Sequence, residues 1–316
     1  MLAASAPAFS IEARGPFSWP QAVNVLGHFG PTSRHAPAAT GADDVVRLAF
    51  PLDGDFQPVA VALRFADGVL HGEVAGTDRL DAVATQVARI FSLDVDGSGY
   101  PEVGRRDPAL APVQAALPGL RPICFTSPYE TAAWAILSAR ISMAQAARIQ
   151  DRLIDEHGHR LHVAGADAWS FPTPGRLLGM TSLPGVSAEK IIRLHAVAEA
   201  ALAGILDSAR LRALGDEAGP ASVRSIRGIG PFWSSGIYLR GCGIADVFPD
   251  EPLSVAALGQ LHGLGDLPDP AAVARLTAVY APYRMWVCFL LRVAAGRGII
   301  PGVAGREMAI RRATRG

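Results

Sequence analysis

The chain has 316 residues, of which 50% are hydrophobic and 18% charged, and its formal net charge is zero. This composition excludes an intrinsically disordered chain, and the length is sufficient for two or three domains with full hydrophobic cores. Zero net charge gives no overall basic field, so any contact with a nucleic acid would depend on helix termini and local arginines. The chain contains a single lysine, Lys190.

The N-terminal part of the chain predicts a small α+β domain, which we assign to residues 1–110. The predicted elements are a strand at 9–13, a helix from residue 19, strands at 45–52, 59–65 and 69–74, and a helix at 79–91. Asp-Gly pairs at 53–54 and 67–68 separate the last three strands and are typical of hairpin turns. This order favours an antiparallel sheet with helices on one face.

Residues 111–316 have a helical pattern with short breaks, which predicts a second, helical domain. The sequence Ser-Pro-Tyr-Glu at 127–130 is a capping box with proline at the first helical position. Ser142 and Ser187 are predicted to start the two helices that follow. A turn is predicted at 215–220.

No residues in the sequence are arranged as a typical metal site. His157, His159 and His162 have the spacing of a helix end and a loop without a matching carboxylate, so a structural role is favoured over metal binding. The cysteines lack Cys-x-x-Cys spacing; they are Cys124, Cys242 and Cys288. No secretory signal and no apolar window of 18 residues is found, so we expect a cytoplasmic protein without a membrane span.

A glycine turn between two helical segments is the first candidate functional element. Gly228 and Gly230 bracket the apolar Ile229, and Pro231 suits the first position of the next helix. In such a turn successive backbone N–H groups can point the same way and hold a phosphate without a positive side chain. An ordinary corner between two helices has the same pattern and is the alternative.

Two carboxylates, Asp250 and Glu251, stand at the start of a later predicted helix, 253–261. Pro252 suits the first helical position, which makes Glu251 the N-cap residue. The pair is a candidate for catalysis. Alternatively, the two side chains only cap the helix and complement its dipole.

Together these residues resemble the helix–hairpin–helix base-excision DNA glycosylases, and most of all their 3-methyladenine DNA glycosylase II branch. The sequence Ile-Arg-Gly-Ile-Gly-Pro-Phe-Trp-Ser at 226–234 resembles the hairpin of that superfamily. Further segments resemble the family in the same order: 16–19, 120–138, 171–174, 239–241, 246–249 and 281–284. The resemblance implies a mainly α fold with a small N-terminal α+β domain and two helical subdomains around a helix–hairpin–helix motif at about 221–240.

The resemblance also implies duplex DNA with damaged bases as the partner of a monomeric protein. The hairpin would grip backbone phosphate through the amides near Gly228, Gly230 and neighbouring residues, with Ile229 and Ser234 as further DNA-binding candidates. It implies no cofactor and no catalytic metal, with a structural monovalent cation at the turn carbonyls as an option. The damaged nucleotide would be flipped out of the duplex.

Aromatic side chains are the candidates for the base pocket. Phe232 stands where alkylation-specific members carry an aromatic residue, and Tyr238, Tyr283 and Trp286 are further candidates. Electron-poor alkylated purines stack well on such rings. For Tyr238 and Trp286 a place in the core is an equal alternative. Bifunctional relatives carry a lysine where this chain has Phe232, so no lyase activity is expected.

The sequence departs from the family at two positions. Counted without gaps, the catalytic aspartate position holds Pro252, whereas a one-residue deletion before Pro249 puts Glu251 there, with Asp250 just ahead. Members usually carry Gln or Leu where this chain has Arg140, at the step that fills the gap left by the flipped base. Arg140 can fill that gap by stacking, or can bind phosphate instead.

The expected activity is hydrolysis of the N-glycosidic bond of alkylated purines such as 3-methyladenine by a monofunctional glycosylase. One carboxylate near C1′ would stabilise the positive charge that develops on the sugar. The alternative is a DNA-binding damage sensor of the same fold without a hydrolytic carboxylate. A weaker alternative is a fold that serves only protein contacts.

Overall fold

The computed structural model describes residues 7–28, 45–265 and 268–303, which are mainly helical with a small amount of strand. The strands are β1 (Ala8–Glu12), β2 (Val46–Pro51), β3 (Pro58–Ala66), β4 (Val69–Ala75), β5 (His159–Val163) and β6 (Ala166–Ser170). The helices of the first half are α1 (Trp19–His28), α2 (Leu80–Ile90), α3 (Pro101–Arg106), α4 (Ala111–Ala116), α5 (Pro128–Ser138) and α6 (Met143–His157).

The helices of the second half are α7 (Pro174–Leu178), α8 (Ala188–Leu202), α9 (Ser208–Arg224), α10 (Pro231–Gly236), α11 (Pro252–Leu261), α12 (Pro270–Ala278) and α13 (Arg284–Gly296). Residues Ile237–Gly241 continue α10 as a short π-helical segment. None of the helices within the described ranges combines the length and the apolar character that a membrane span requires.

Strands β1 to β4 form one antiparallel sheet, as the sequence predicted, and their order in it is β1-β4-β3-β2. The turn between β3 and β4 is the two-residue Asp67-Gly68 pair, and both residues have positive φ, at 50° and 80°. A hairpin turn with two positive φ values favours such a pair. The predicted strand positions are confirmed to within a residue or two.

The β5–β6 hairpin is a feature that the sequence prediction missed. The residues after His157 were expected to form a loop, but His159–Val163 pairs with Ala166–Ser170 in antiparallel register. Val163 and Ala168 bury themselves against β2 and β3, and Arg47 of β2 donates a hydrogen bond to Ala164 O at 2.8 Å. The segment is polar and its turn is Ala-Gly, so its own sequence indicates a hairpin only weakly. The contact with β2 and β3 stabilises the two strands.

Serine caps begin three of the helices, as predicted. The hydroxyls of Ser127, Ser142 and Ser187 each accept a hydrogen bond from the backbone N–H three residues further on, at the starts of α5, α6 and α8. Only half of the predicted capping box at α5 forms, because the Glu130 side chain does not return a bond to the Ser127 N–H. The turn predicted at 215–220 is a kink at Gly215, within α9.

The chain divides into two compact units, each built from separate segments. The first unit contains the described residues within 1–12, 23–94 and 123–243, and the second those within 13–22, 95–122 and 244–316. The boundary expected at residue 110 lies inside a segment of the second unit. The sheet and the glycine turn belong to the first unit, whereas Glu251 belongs to the second.

Candidate functional site

The glycine turn joins α9 to α10 and exposes its backbone. Gly228 has a φ of 91°, and a Cβ at this position would lie 2.6 Å from Arg193 Cδ. Ile229 is buried and donates its N–H to Ile226 O at 3.0 Å, which anchors the turn. Gly230 is exposed, and a Cβ there would meet nothing within 4 Å. Geometry therefore requires glycine at Gly228, while Gly230 leaves the start of α10 open to an approaching group.

Charged side chains at the start of α8 flank this turn. Arg193 Nε donates to Glu189 Oε1 at 2.9 Å, and Arg227 Nη2 lies 3.3 Å from both Glu189 oxygens. The hydrogen bond from Arg193, with the charge of Arg227 adding, lowers the pKa of Glu189. Lys190 Nζ donates to Leu137 O in the last turn of α5 at 2.6 Å, and burial lowers its pKa. The sequence prediction contained none of these contacts.

Arg140 lies at the tip of the turn between α5 and α6. Its side chain is exposed and its φ is 61°, in the left-handed region that non-glycine residues rarely adopt. Strained backbone of this kind is held by its surroundings and clusters at functional sites. Here the preceding helix end is held by the bond from Lys190 to Leu137 O. The turn therefore presents the Arg140 side chain to solvent.

The aromatic candidates of the first unit differ in exposure. Phe232, on α10, is 61% exposed, and its edge-to-face partner is Trp233, with ring centroids 5.6 Å apart. Tyr238 is buried, and its hydroxyl donates to Asp216 Oδ1 at 2.9 Å. Ser234 is also buried, and its hydroxyl donates to Pro231 O at 2.9 Å. Phe232 is therefore the candidate with an exposed ring, whereas the side chains of Tyr238 and Ser234 are buried and hydrogen-bonded within the protein.

The aromatic candidates of the second unit belong to a buried cluster. Tyr283 and Trp286 pack with Tyr100, with ring centroids between 5.0 and 5.4 Å apart. The Arg121 guanidinium lies 4.9 Å from the Trp286 ring centre, and burial lowers its pKa to about 10. Tyr283 also donates its hydroxyl to Asp96 O at 2.6 Å. Sequence reasoning missed Tyr100 and Arg121, because the contacts join distant segments.

Glu251 is the N-cap of α11, and its carboxylate is held on both oxygens. Oε2 accepts from Ser254 N at 2.8 Å and lies 2.7 Å from the Ser254 hydroxyl, and Oε1 accepts from Arg292 at 2.5 Å. The Glu251 side chain is 17% exposed. Pro252 is the first residue of α11, as predicted. Asp250 is exposed and has no side-chain partner among the described residues.

The histidines and carboxylates do not converge on a metal. Among the described residues, no group of three or more His, Cys, Asp or Glu could hold a metal ion. His162 instead pairs with Asp167 across the β5–β6 hairpin at 3.0 Å. Cys124, Cys242 and Cys288 are free and buried.

The fold matches those of known DNA glycosylases. It superposes on a 3-methyladenine DNA-glycosylase from Archaeoglobus fulgidus with a TM-score of 0.72, over 90% of this chain and 97% of that chain at 21% identity. It superposes on an 8-oxoguanine glycosylase/lyase of Clostridium acetobutylicum with a TM-score of 0.63, over 90% and 94% of the two chains at 16% identity. The protein therefore has the mainly α fold of the helix–hairpin–helix glycosylases, which confirms the predicted fold class.

Sequence relatives narrow this class to a family. The chain is 30% identical over 246 residues to DNA-3-methyladenine glycosylase 2 of Escherichia coli K12, covering 74% of this chain and 80% of that protein. It is 21% identical over 206 residues to the DNA-3-methyladenine glycosylase of Bacillus subtilis 168, covering 64% and 68% of the two chains. No family model matches the chain. The chain belongs to the DNA-3-methyladenine glycosylase family, as its resemblance predicted.

Proposed function

We propose that the protein hydrolyses the N-glycosidic bond of alkylated purines of the 3-methyladenine type in duplex DNA. The observation that carries the proposal is Glu251, an ordered, partly exposed carboxylate at the N-terminus of α11, in a chain of this family. The exposed glycine turn between α9 and α10 supports the same function, because the exposed backbone of Gly228 and Gly230 suits a DNA phosphate. The N–H groups of Ile229 and Ser234 already donate to Ile226 O and Gly230 O and are not available for this contact.

Phe232 is the aromatic residue best suited to a flipped base. Its ring is exposed on α10, next to the turn proposed to hold the DNA backbone. An alkylated purine carries a positive charge, so stacking on this ring gains cation–π attraction beyond ordinary stacking. Tyr283 and Trp286 stay candidate base contacts, although both are buried and packed on Tyr100.

The reaction requires little from the protein. The bond between C1′ and the purine nitrogen breaks, the base leaves with the electron pair, and water adds to C1′ and gives up a proton. Positive charge develops on the sugar, and a carboxylate stabilises this charge or accepts the proton. Glu251 can supply either role through Oε1. The Arg292 side chain that occupies this oxygen is 37% exposed. Glu251 itself is only 17% exposed, so the pair is partly buried and Oε1 becomes available when Arg292 moves away.

Monofunctional chemistry is part of the proposal. A lyase needs an amine that can form a Schiff base with the sugar. The hairpin position of the lysine in bifunctional relatives is Phe232 here, and the amine of Lys190 is engaged with Leu137 O. We therefore expect base release without cleavage of the DNA strand.

A second candidate function is damage sensing without catalysis. One observation favours it: both oxygens of Glu251 already accept hydrogen bonds from the protein, as a purely capping residue would. Such a protein would bind DNA and release no base.

Single-turnover release of 3-methyladenine from methylated duplex DNA separates the two functions. The wild-type protein is expected to release the base, and Glu251→Gln to lower the rate constant by about 10²-fold or more. Asp250→Asn is the matched control, because it removes a neighbouring carboxylate that has no side-chain partner among the described residues. Its rate should stay within a few-fold of wild type. DNA binding without base release would establish the sensor. Full activity of Glu251→Gln with loss in Asp250→Asn would transfer the catalytic role to Asp250.

A further inference from the structure

Two arginines beside the glycine turn share one acidic partner. Arg227 directly precedes Gly228, its side chain is 60% exposed, and its guanidinium reaches both oxygens of Glu189 at 3.3 Å. Arg193, one turn further along α8, donates to Oε1 of the same carboxylate at 2.9 Å. Glu189, Arg193 and Arg227 form a charge cluster, in which one carboxylate and two guanidinium groups give a net charge of +1.

The charge cluster is attached directly to the turn. The Arg193 stem lies under Gly228, since a Cβ on that glycine would be 2.6 Å from Arg193 Cδ. The first turn of α8 also contacts α5 through the bond from Lys190 to Leu137 O, close to the exposed Arg140. Two cations, Arg193 on α8 and Arg227 in the turn itself, therefore lie beside the backbone proposed to receive a phosphate. A chain of zero net charge needs local cations of this kind to bind DNA.

We infer that Arg227 and Arg193 are additional phosphate ligands beside the hairpin, and that Glu189 restrains both arginines until DNA displaces it. This inference rests on the DNA binding of the proposed function. The partner is the sugar–phosphate backbone of duplex DNA, so the contact carries no base specificity.

The exchange is physically easy. Ion pairs as exposed as those of the charge cluster contribute little to stability, because water and salt screen the two charges. A phosphate that approaches Arg227 therefore displaces little stabilising energy. The carboxylate of Glu189 remains nearby, however, and repels the phosphate. Glu189 thus lowers the affinity for the backbone of damaged and undamaged DNA alike, in proportion to the strength of this repulsion.

The test measures binding of the full chain to an undamaged duplex across a range of salt concentrations. Glu189→Gln is expected to bind about threefold to tenfold more tightly at low salt, because one repulsive charge is lost. Arg227→Gln is expected to bind more weakly by a similar factor, and the magnitude of its log–log salt slope should fall by about 0.9 for the lost phosphate contact. The double variant should lose most of the gain from Glu189→Gln.

Matched controls use an exposed ion pair on the sheet, Arg64 with Glu73, 3.2 Å apart. Glu73→Gln and Arg64→Gln make the same charge changes and should leave affinity and salt slope unchanged. An effect of Glu73→Gln equal to that of Glu189→Gln would overturn the inference, as would an unchanged salt slope in Arg227→Gln. Thermal unfolding of each variant checks folding. If the wild-type protein binds no DNA, the proposed function fails; if it binds and releases base while the cluster variants behave as wild type, only this inference fails.

Discussion

Glu130 is expected to make the stability of the fold depend on pH. It lies in the first turn of α5, a helix whose residues are all buried, and its Oε1 has no hydrogen-bond partner among the described residues. Burial raises the pKa of the Glu130 carboxyl to about 8, the Thr126 hydroxyl opposes this rise, and the charge of Asp53 adds to it. The folded protein therefore keeps this carboxyl protonated at neutral pH.

The sign and size of the effect follow from the two pKa values. In the unfolded chain the carboxyl has its ordinary pKa of 4.5, against about 8 in the folded protein. Between these values unfolding releases a proton, so the free energy of unfolding falls as pH rises and levels off above pH 8. One pKa unit corresponds to about 1.4 kcal/mol, so the loss at pH 7 amounts to about 3 kcal/mol relative to pH 4.

Glu130→Gln tests this expectation, because glutamine keeps the shape and cannot ionise. Urea unfolding at pH 5, 6, 7 and 8 should give a variant that gains stability relative to wild type steadily across this range. The relevant quantity is the difference in the free energy of unfolding between the variant and wild type, because the contributions of the other titrating groups cancel in this difference. Glu73→Gln, at an exposed carboxylate of the sheet, should show no such trend. A difference between Glu130→Gln and wild type that is independent of pH would refute the reasoning.

Three further predictions concern the candidate site. Gly228→Ala should lower the free energy of unfolding by about 1–2 kcal/mol, because alanine is strained at a φ of 91°, and it should weaken DNA binding; Gly230→Ala, in open space, should be nearly neutral in stability. Phe232→Ala should reduce the rate of base release without lowering the melting temperature, since the ring is exposed. Tyr238→Phe should instead lower stability by about 1 kcal/mol through its lost hydrogen bond, and an unchanged melting temperature would contradict this.

The helix starts could be predicted because their chemistry is local. A serine or carboxylate cap satisfies backbone N–H groups only three residues away, and proline at the first helical position needs no distant partner. Ser127, Ser187 and Glu251 all cap as expected for this reason. The turn at Gly228 could be predicted on the same ground, because few residues other than glycine tolerate its φ.

The contacts that could not be predicted join segments far apart in the chain. The packing of Tyr100 and Arg121 on Trp286 and the pairing of Arg227 with Glu189 depend on tertiary placement, which sequence periodicity does not encode. The β5–β6 hairpin forms because β2 and β3 bury its apolar side chains, not because its own residues favour strands. The contacts of Arg227 and of Trp286, which describe the candidate site most closely, are therefore long-range contacts that the sequence alone does not predict.

Glu251 shows why a helix start is a better reference than a residue count. A one-residue deletion in the preceding loop would change the count, and an ungapped count then assigns Pro252 to the position of the family's catalytic aspartate. The N-cap is fixed by geometry, because its side chain must reach the N–H three residues on, as Glu251 does with Ser254. The resemblance implies an aspartate at this helix start in the family, and on that basis we propose that Glu251 takes its place. The extra methylene of glutamate lengthens the reach of the carboxylate, and the bond from Arg292 limits where Oε1 can lie. Catalysis by Glu251 would therefore depend on the release of this oxygen by Arg292. Arg292→Met removes the bond and should keep or raise the single-turnover rate of base release, and a large loss of rate would contradict this reasoning.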